Sequence, residues 1–117
     1  MASDNIVLYA EKRYELEEIK HKLNEEFDKR KSRVEFTREI LREVGDTKTL
    51  LLIYEKWFYR TKSYAGLVIL LSEYHGYQGA DVVATGGKEF LVSWGTEDEL
   101  VQLGKEALQN IGFQSKT

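Results

Sequence analysis

Residues 48–59 read Lys48-Thr49-Leu50-Leu51-Leu52-Ile53-Tyr54-Glu55-Lys56-Trp57-Phe58-Tyr59, and the way this run folds decides the architecture. Its apolar side chains fall at successive positions instead of at helical steps of three and four, and aromatic residues of the kind that fit a pleated surface close it. A strand apolar on both faces sits in the middle of a sheet. The polar residues 60–63 make a hairpin connection, after which residues 64–74 repeat the same character around Leu67-Val68-Ile69-Leu70-Leu71. His75-Gly76-Tyr77-Gln78-Gly79 reads as the next turn. Strands over 80–85 and 89–94 follow, joined at Gly86-Gly87. Residues 48–95 therefore read as one antiparallel sheet.

Working outward toward the N-terminus, Gly45-Asp46 is a turn pair. Val34, Phe36, Ile40 and Val44 fit an alternating strand, although Phe36, Ile40, Leu41 and Val44 also fit a short helix ended by Gly45; the strand is preferred. Before it, Leu16, Ile19, Leu23 and Phe27 share one stripe of a helix. Glu18 with Lys22, Glu25 with Lys29 and Glu26 with Arg30 stand four apart on its solvated side, each pair contributing roughly 0.2–0.5 kcal/mol. Lys29, Arg30, Lys31 and Arg33 crowd the helix C-terminus, where the backbone dipole favours cations. Ile6 to Tyr9 reads as a short edge strand. Toward the C-terminus, Thr96 followed by Glu99 is a capping box, so a final helix starts at Glu97. Leu100, Leu103, Ala107, Leu108 and Ile111 form its apolar stripe, Gly104 lets it approach the sheet closely, and Gly112 ends it. The expected fold is a single two-layer α+β domain over residues 1–117, a mainly antiparallel sheet of five or six strands with two helices on one face.

Composition bounds the function. At 117 residues, with 42% hydrophobic and 32% charged, folding buries roughly two-thirds of the unfolded chain's surface, enough for a core. Without cysteine there are no disulfides, thiolate nucleophiles or cysteine-ligated metals. The longest apolar run, Leu67 to Leu71, is too short to span a bilayer, and the cytoplasm is the expected compartment. A net charge of −3 argues against general nucleic-acid binding.

Gly45-Asp46 before a strand ending Tyr54-Glu55-Lys56, then Thr85-Gly86-Gly87, then Trp94-Gly95-Thr96-Glu97 opening the last helix, together resemble the bacterial family catalogued as domain of unknown function 6054. The resemblance implies a helix, an antiparallel sheet and a closing helix, which supports a strand over 34–44. It implies no activity, cofactor or site residue.

Three stretches invite chemistry. Thr85-Gly86-Gly87-Lys88 suggests a phosphate loop, but the spacing of a Walker motif is absent and a hairpin turn explains it. His75 with Glu73 and Asp81 around one loop is a pattern open to general-base chemistry, although a solvated turn accounts for it more simply. His21 and His75 are the only histidines, so a multi-histidine metal site would need both to converge. Tyr54, Trp57, Phe58, Tyr59 and Tyr64, interleaved with Lys56, Arg60 and Lys62, resemble a stacking platform for single-stranded nucleic acid, but alternation divides them between two faces and core or interface packing is the better account. Two helices cover only one sheet face, whereas the central strands are apolar on both. The expected function is accordingly a non-catalytic, cofactor-free interaction module, a homo-oligomer or the binder of a protein partner, using the uncovered face. A loop site at His75 and a nucleic-acid surface are the alternatives.

Overall fold

Alternation along the central strands sorts their side chains onto two faces, and the elements around them follow from that division. The computed structural model describes residues 6–59, 62–86 and 96–115. In chain order it contains strand β1 (Ile6–Glu11), helix α1 (Leu16–Lys29), strands β2 (Glu35–Val44), β3 (Thr47–Phe58), β4 (Ser63–Tyr74) and β5 (Tyr77–Thr85), helix α2 (Thr96–Ile111) and a two-residue strand β6 (Gln114–Ser115). The six strands form one antiparallel sheet in the order β2-β3-β4-β5-β1-β6. Both helices pack on the same face, α1 against β3 and β4 and α2 against β5, β4 and β1. The architecture is the expected two-layer α+β arrangement.

The core lies between that face and the helices. Leu50, Leu52, Tyr54 and Phe58 of β3 are buried there, as are Leu67, Ile69 and Leu71 of β4 and Ala80, Val82 and Ala84 of β5. Leu16, Ile19, Leu23 and Phe27 of α1 meet them, the stripe read from the sequence. The stretch read as a strand over 34–44 does form one, from Glu35 to Val44, with a register shift between Phe36 and Arg38 where Thr37 Oγ1 donates to the Ile53 carbonyl at 3.0 Å.

Several local expectations change. His75 to Gly79 is not a five-residue turn: Tyr74 pairs directly with Tyr77. Only His75 and Gly76 turn, with φ of 48° and 80°, the positive pair that a two-residue hairpin of the type I′ class requires. Tyr77, Gln78 and Gly79 belong to β5. Helix α2 begins at Thr96, one residue early, and the expected strand over 89–94 lies outside the described residues. Of the three i,i+4 pairs on α1, Glu26 with Arg30 forms at 3.5 Å. Lys22 instead sits over the Tyr14 ring at 4.4 Å, and Lys29 also turns to Glu26, at 3.8 Å. Exposed side chains settle on whichever partner costs least rotamer entropy.

Gly104 sets the distance between α2 and the sheet. A Cβ there would stand 2.9 Å from Val82 Cγ1, closer than packed carbons allow. Gly104→Ala is expected to destabilise by about 1–3 kcal/mol through overpacking, against alanine's helix-propensity gain of about 1 kcal/mol. Combining it with Val82→Ala removes the opposing methyls, so urea denaturation of the single and double variants should show a double variant more stable than additivity predicts.

Candidate functional site

Because successive side chains in a strand point to opposite faces, the neighbours of the core residues form the uncovered face. Its centre is the β3/β4 pair, where Leu51 stands opposite Leu70 and Ile53 opposite Val68. Ile40 of β2 extends the first row on one side, and Val83 of β5 extends the second on the other. All six are half-buried. Aromatic rings close both ends. At one, Trp57 packs edge-on to Tyr64 at 5.1 Å and to Tyr59 at 6.4 Å; at the other stand Tyr74 and Tyr77, 54% and 66% exposed. Val44, at 75%, is the most exposed aliphatic residue among the large hydrophobics on this face.

The charges are distributed unevenly between the faces. Around the helix-covered face, Lys48 meets Glu17 at 3.2 Å, Lys20 meets Glu39 at 2.9 Å and Lys56 meets Glu99 at 3.0 Å, each pair tying a strand to a helix. On the open face, Arg38 and Arg42 of β2 flank the Ile40 row and Asp81 of β5 lies in that row. None of the three forms a salt bridge among the described residues.

The residues nominated from the sequence are therefore divided. Trp57, Tyr59 and Tyr64 gather at one end of the open face. Tyr54 and Phe58 are core residues, 1% and 5% exposed: Tyr54 packs edge-on to Phe27 at 5.0 Å and its hydroxyl donates to Asn24 Oδ1 at 2.7 Å. Burial, with a smaller contribution from Glu39, pushes the Tyr54 phenol well above its usual range. Lys56 lies over the Phe58 ring at 4.9 Å on the covered side, so the aromatic and basic residues share no platform; Arg60 lies outside the described residues.

His75, Glu73 and Asp81 do not converge either. Glu73 projects to the covered side, where its carboxylate accepts from Lys12 Nζ at 2.9 Å and from Gln78 Nε2 at 3.0 Å. Asp81 is on the open side. The His75 ring is 57% exposed and packs against Tyr74, and its Nε2 is 3.9 Å from Asp46 Oδ2, beyond hydrogen-bond reach. Among the described residues no group of three histidines or carboxylates is placed to hold a metal ion, and no helix is long and apolar enough to cross a membrane.

One feature had no counterpart in the sequence reading. A cleft of about 490 Å³ opens at the β1 edge, lined by the end of β1, by Arg13 and Tyr14 ahead of α1, by Tyr77 and Gln78, and by residues 111–115. Its far wall depends on the chain reversing after Gly112, whose φ is 125°, so that Gln114 pairs with Tyr9. Tyr14 before the first helix and Phe113 after the last were the available signals, both apolar residues just outside a helical stripe.

Fold and surface define a class, an open-faced α+β sheet protein with helices on one side. The chain belongs to the family of unknown function DUF6054, whose sequence model matches residues 6–112. The match runs from β1 through α2, so β1, which the structure places between β5 and the two-residue β6 and not at the sheet edge, is part of the family's unit as well. No curated protein and no solved structure matches the chain.

Glu73 gives this edge a pH signature. Burial alone would raise its carboxyl, but hydrogen bonds from Lys12 and Gln78 outweigh that and hold it below the usual carboxylate range. A folded value below the unfolded one contributes stability that is complete above the unfolded value, about 4.3, and is lost as pH falls through the folded value. Glu73→Gln should accordingly lose stability near neutrality and show a shallower decline in acid, the two unfolding curves drawing together at low pH.

Proposed function

We propose that this protein is a non-catalytic association module whose open sheet face pairs back to back with the same face of a second copy. The single observation that carries this reading is the apolar centre of that face, Leu51, Ile53, Val68 and Leu70, with exposed aromatic rings beyond the Glu55–Gly66 row at one end and beyond the Thr49–Ser72 row at the other. Apolar patches of this extent on single chains mark association surfaces. Central strands of 12 residues at ~3.4 Å each, in an overlap of four strands that each take up ~4.8 Å of width, give a face of roughly 40 by 20 Å. That is close to the ~800 Å² each partner contributes to a stable complex.

Charge selects the arrangement. A two-fold axis parallel to the strands and between β3 and β4 lays β3 over the partner's β4 and β2 over the partner's β5. Arg38 and Arg42 then bracket the partner's Asp81, Trp57 meets the partner's Tyr64, and Val44 meets the partner's Tyr77. An axis perpendicular to the strands would stack β2 on β2 and set arginine against arginine. Aligned sheets of this kind pack about 10 Å apart with interdigitating side chains, and self-complementary faces are the rule in two-fold dimers. The reading takes the cytoplasm as the compartment and requires no cofactor.

Sedimentation or light scattering at micromolar concentrations should give twice the 13.6 kDa of the chain, and Leu70→Glu should give a folded monomer. Asp81→Arg should weaken association by about tenfold or more, and mixing it with the Arg38→Asp/Arg42→Asp chain should restore a heterodimer. A wild-type chain that stays monomeric sinks the proposal.

A further inference from the structure

The β1-edge cleft lies at the margin of that interface: the proposed axis leaves β1 outside the overlap, and Tyr77 is the lining residue that the two share. Its volume of about 490 Å³ lies within the ~300–1,000 Å³ of small-molecule sites. Phe113, 2% exposed, and Ile111 supply an apolar floor, and Tyr9, Tyr14 and Tyr77 supply ring surface.

Its charged groups have no ion-pair partner among the described residues. Glu11 and Arg13 both line the cleft, yet among the described residues neither forms a salt bridge, with each other or with any other residue. Lys12 between them faces elsewhere and is engaged by Glu15 and Glu73 at 3.1 and 2.9 Å. The third group is Gln78, 3% exposed. Its amide nitrogen donates to the Tyr14 carbonyl at 2.8 Å and to Glu73 at 3.0 Å. Both partners are acceptors, which fixes the amide's orientation. Its Oε1 accepts nothing from the described residues, and no buried polar side-chain atom lacks a partner, so this oxygen is the solvent-reaching end of a side chain that lines the cleft. The site thus presents a guanidinium, a carboxylate and an oriented amide oxygen around an apolar floor.

We propose that the cleft binds a small zwitterion with an apolar or aromatic body, a free amino acid or a short peptide. Arg13 takes the carboxylate through paired N–H donors, Glu11 takes the ammonium group, Gln78 Oε1 accepts an N–H, and the side chain lies among the tyrosine rings over Phe113. A ligand with one charge satisfies one of Glu11 and Arg13 and meets the other as a repulsive or unpaired group, so selectivity for both charges is built in.

The test is an amide chemical-shift titration of the full chain with L-phenylalanine and the dipeptide Phe-Phe, beside phenylacetate and phenethylamine, which each lack one charge. Saturable shifts confined to residues 9–14, 77–78 and 111–115 are expected for the zwitterions, with the single-charge analogues weaker by about tenfold or more. Tighter binding of the dipeptide assigns the site to peptides, and tighter binding of the amino acid to free amino acids. Arg13→Gln should abolish the preference over phenethylamine and Glu11→Gln the preference over phenylacetate; both side chains are exposed, and unchanged thermal melting confirms that the variants fold. No saturable shift at millimolar ligand, equal response to all four compounds, or shifts centred elsewhere overturns the proposal. Tyr77 apart, the lining residues lie outside the proposed overlap, and the mass measurements decide the open-face dimer separately.

Discussion

A strand offers alternate side chains to opposite faces, and the described helices of this protein cover one face only. That constraint organises the rest. In β3 it sends Leu50, Leu52, Tyr54 and Phe58 into the core and leaves Leu51, Ile53 and Trp57 outside. A shift of one residue in register would exchange the two sets. The covered set holds the more strictly buried residues and the tyrosine whose hydroxyl finds Asn24, so the helices do select a face, although both are apolar.

Polar interactions record the same division. Strand-to-helix ion pairs ring the covered face, at Lys48 with Glu17, Lys20 with Glu39 and Lys56 with Glu99. Each is worth only about 0–1 kcal/mol at an exposed site, but together they fix how α1 and α2 lie across the strands. Gly104 sets the depth of α2 by removing the one Cβ that would strike Val82. Among the described residues, charges without a salt bridge include Arg38, Arg42 and Asp81 on the open face, with Glu35 and Glu55 beside them, Glu11 and Arg13 at the cleft, and others such as Glu18, Glu25 and Lys105 on the helices.

Most of the fold was legible in the sequence because it rests on period. Steps of three and four through Leu16, Ile19, Leu23 and Phe27 announced α1, and doubly apolar runs announced the centre of the sheet. Turn chemistry was less legible: His75 adopts a positive φ that any reader would assign to Gly76 alone, so the hairpin was drawn too long. The residues of the supposed His75 constellation do not converge for the same reason the fold was legible, since Glu73, opposite Gln78, and Asp81, opposite Leu70, project to opposite faces once the hairpin sets the register. The two-residue β6 has no period to detect, and the cleft beside it had none either.

The sequence by itself determined the helix faces, the strand positions and the existence of a second apolar sheet face, because each depends on residues within one or two turns or a few pleats of one another. Which aromatic residues belong to which face followed from parity once the register was known. Only the tertiary structure decided that Tyr54 and Phe58 are core, that Arg38 and Arg42 share a surface with Asp81, and that Glu11, Arg13 and Gln78 surround one cleft. These depend on strand order and on the chain returning to β1 after α2, and pairing between residues far apart in sequence leaves no local pattern by which to read it.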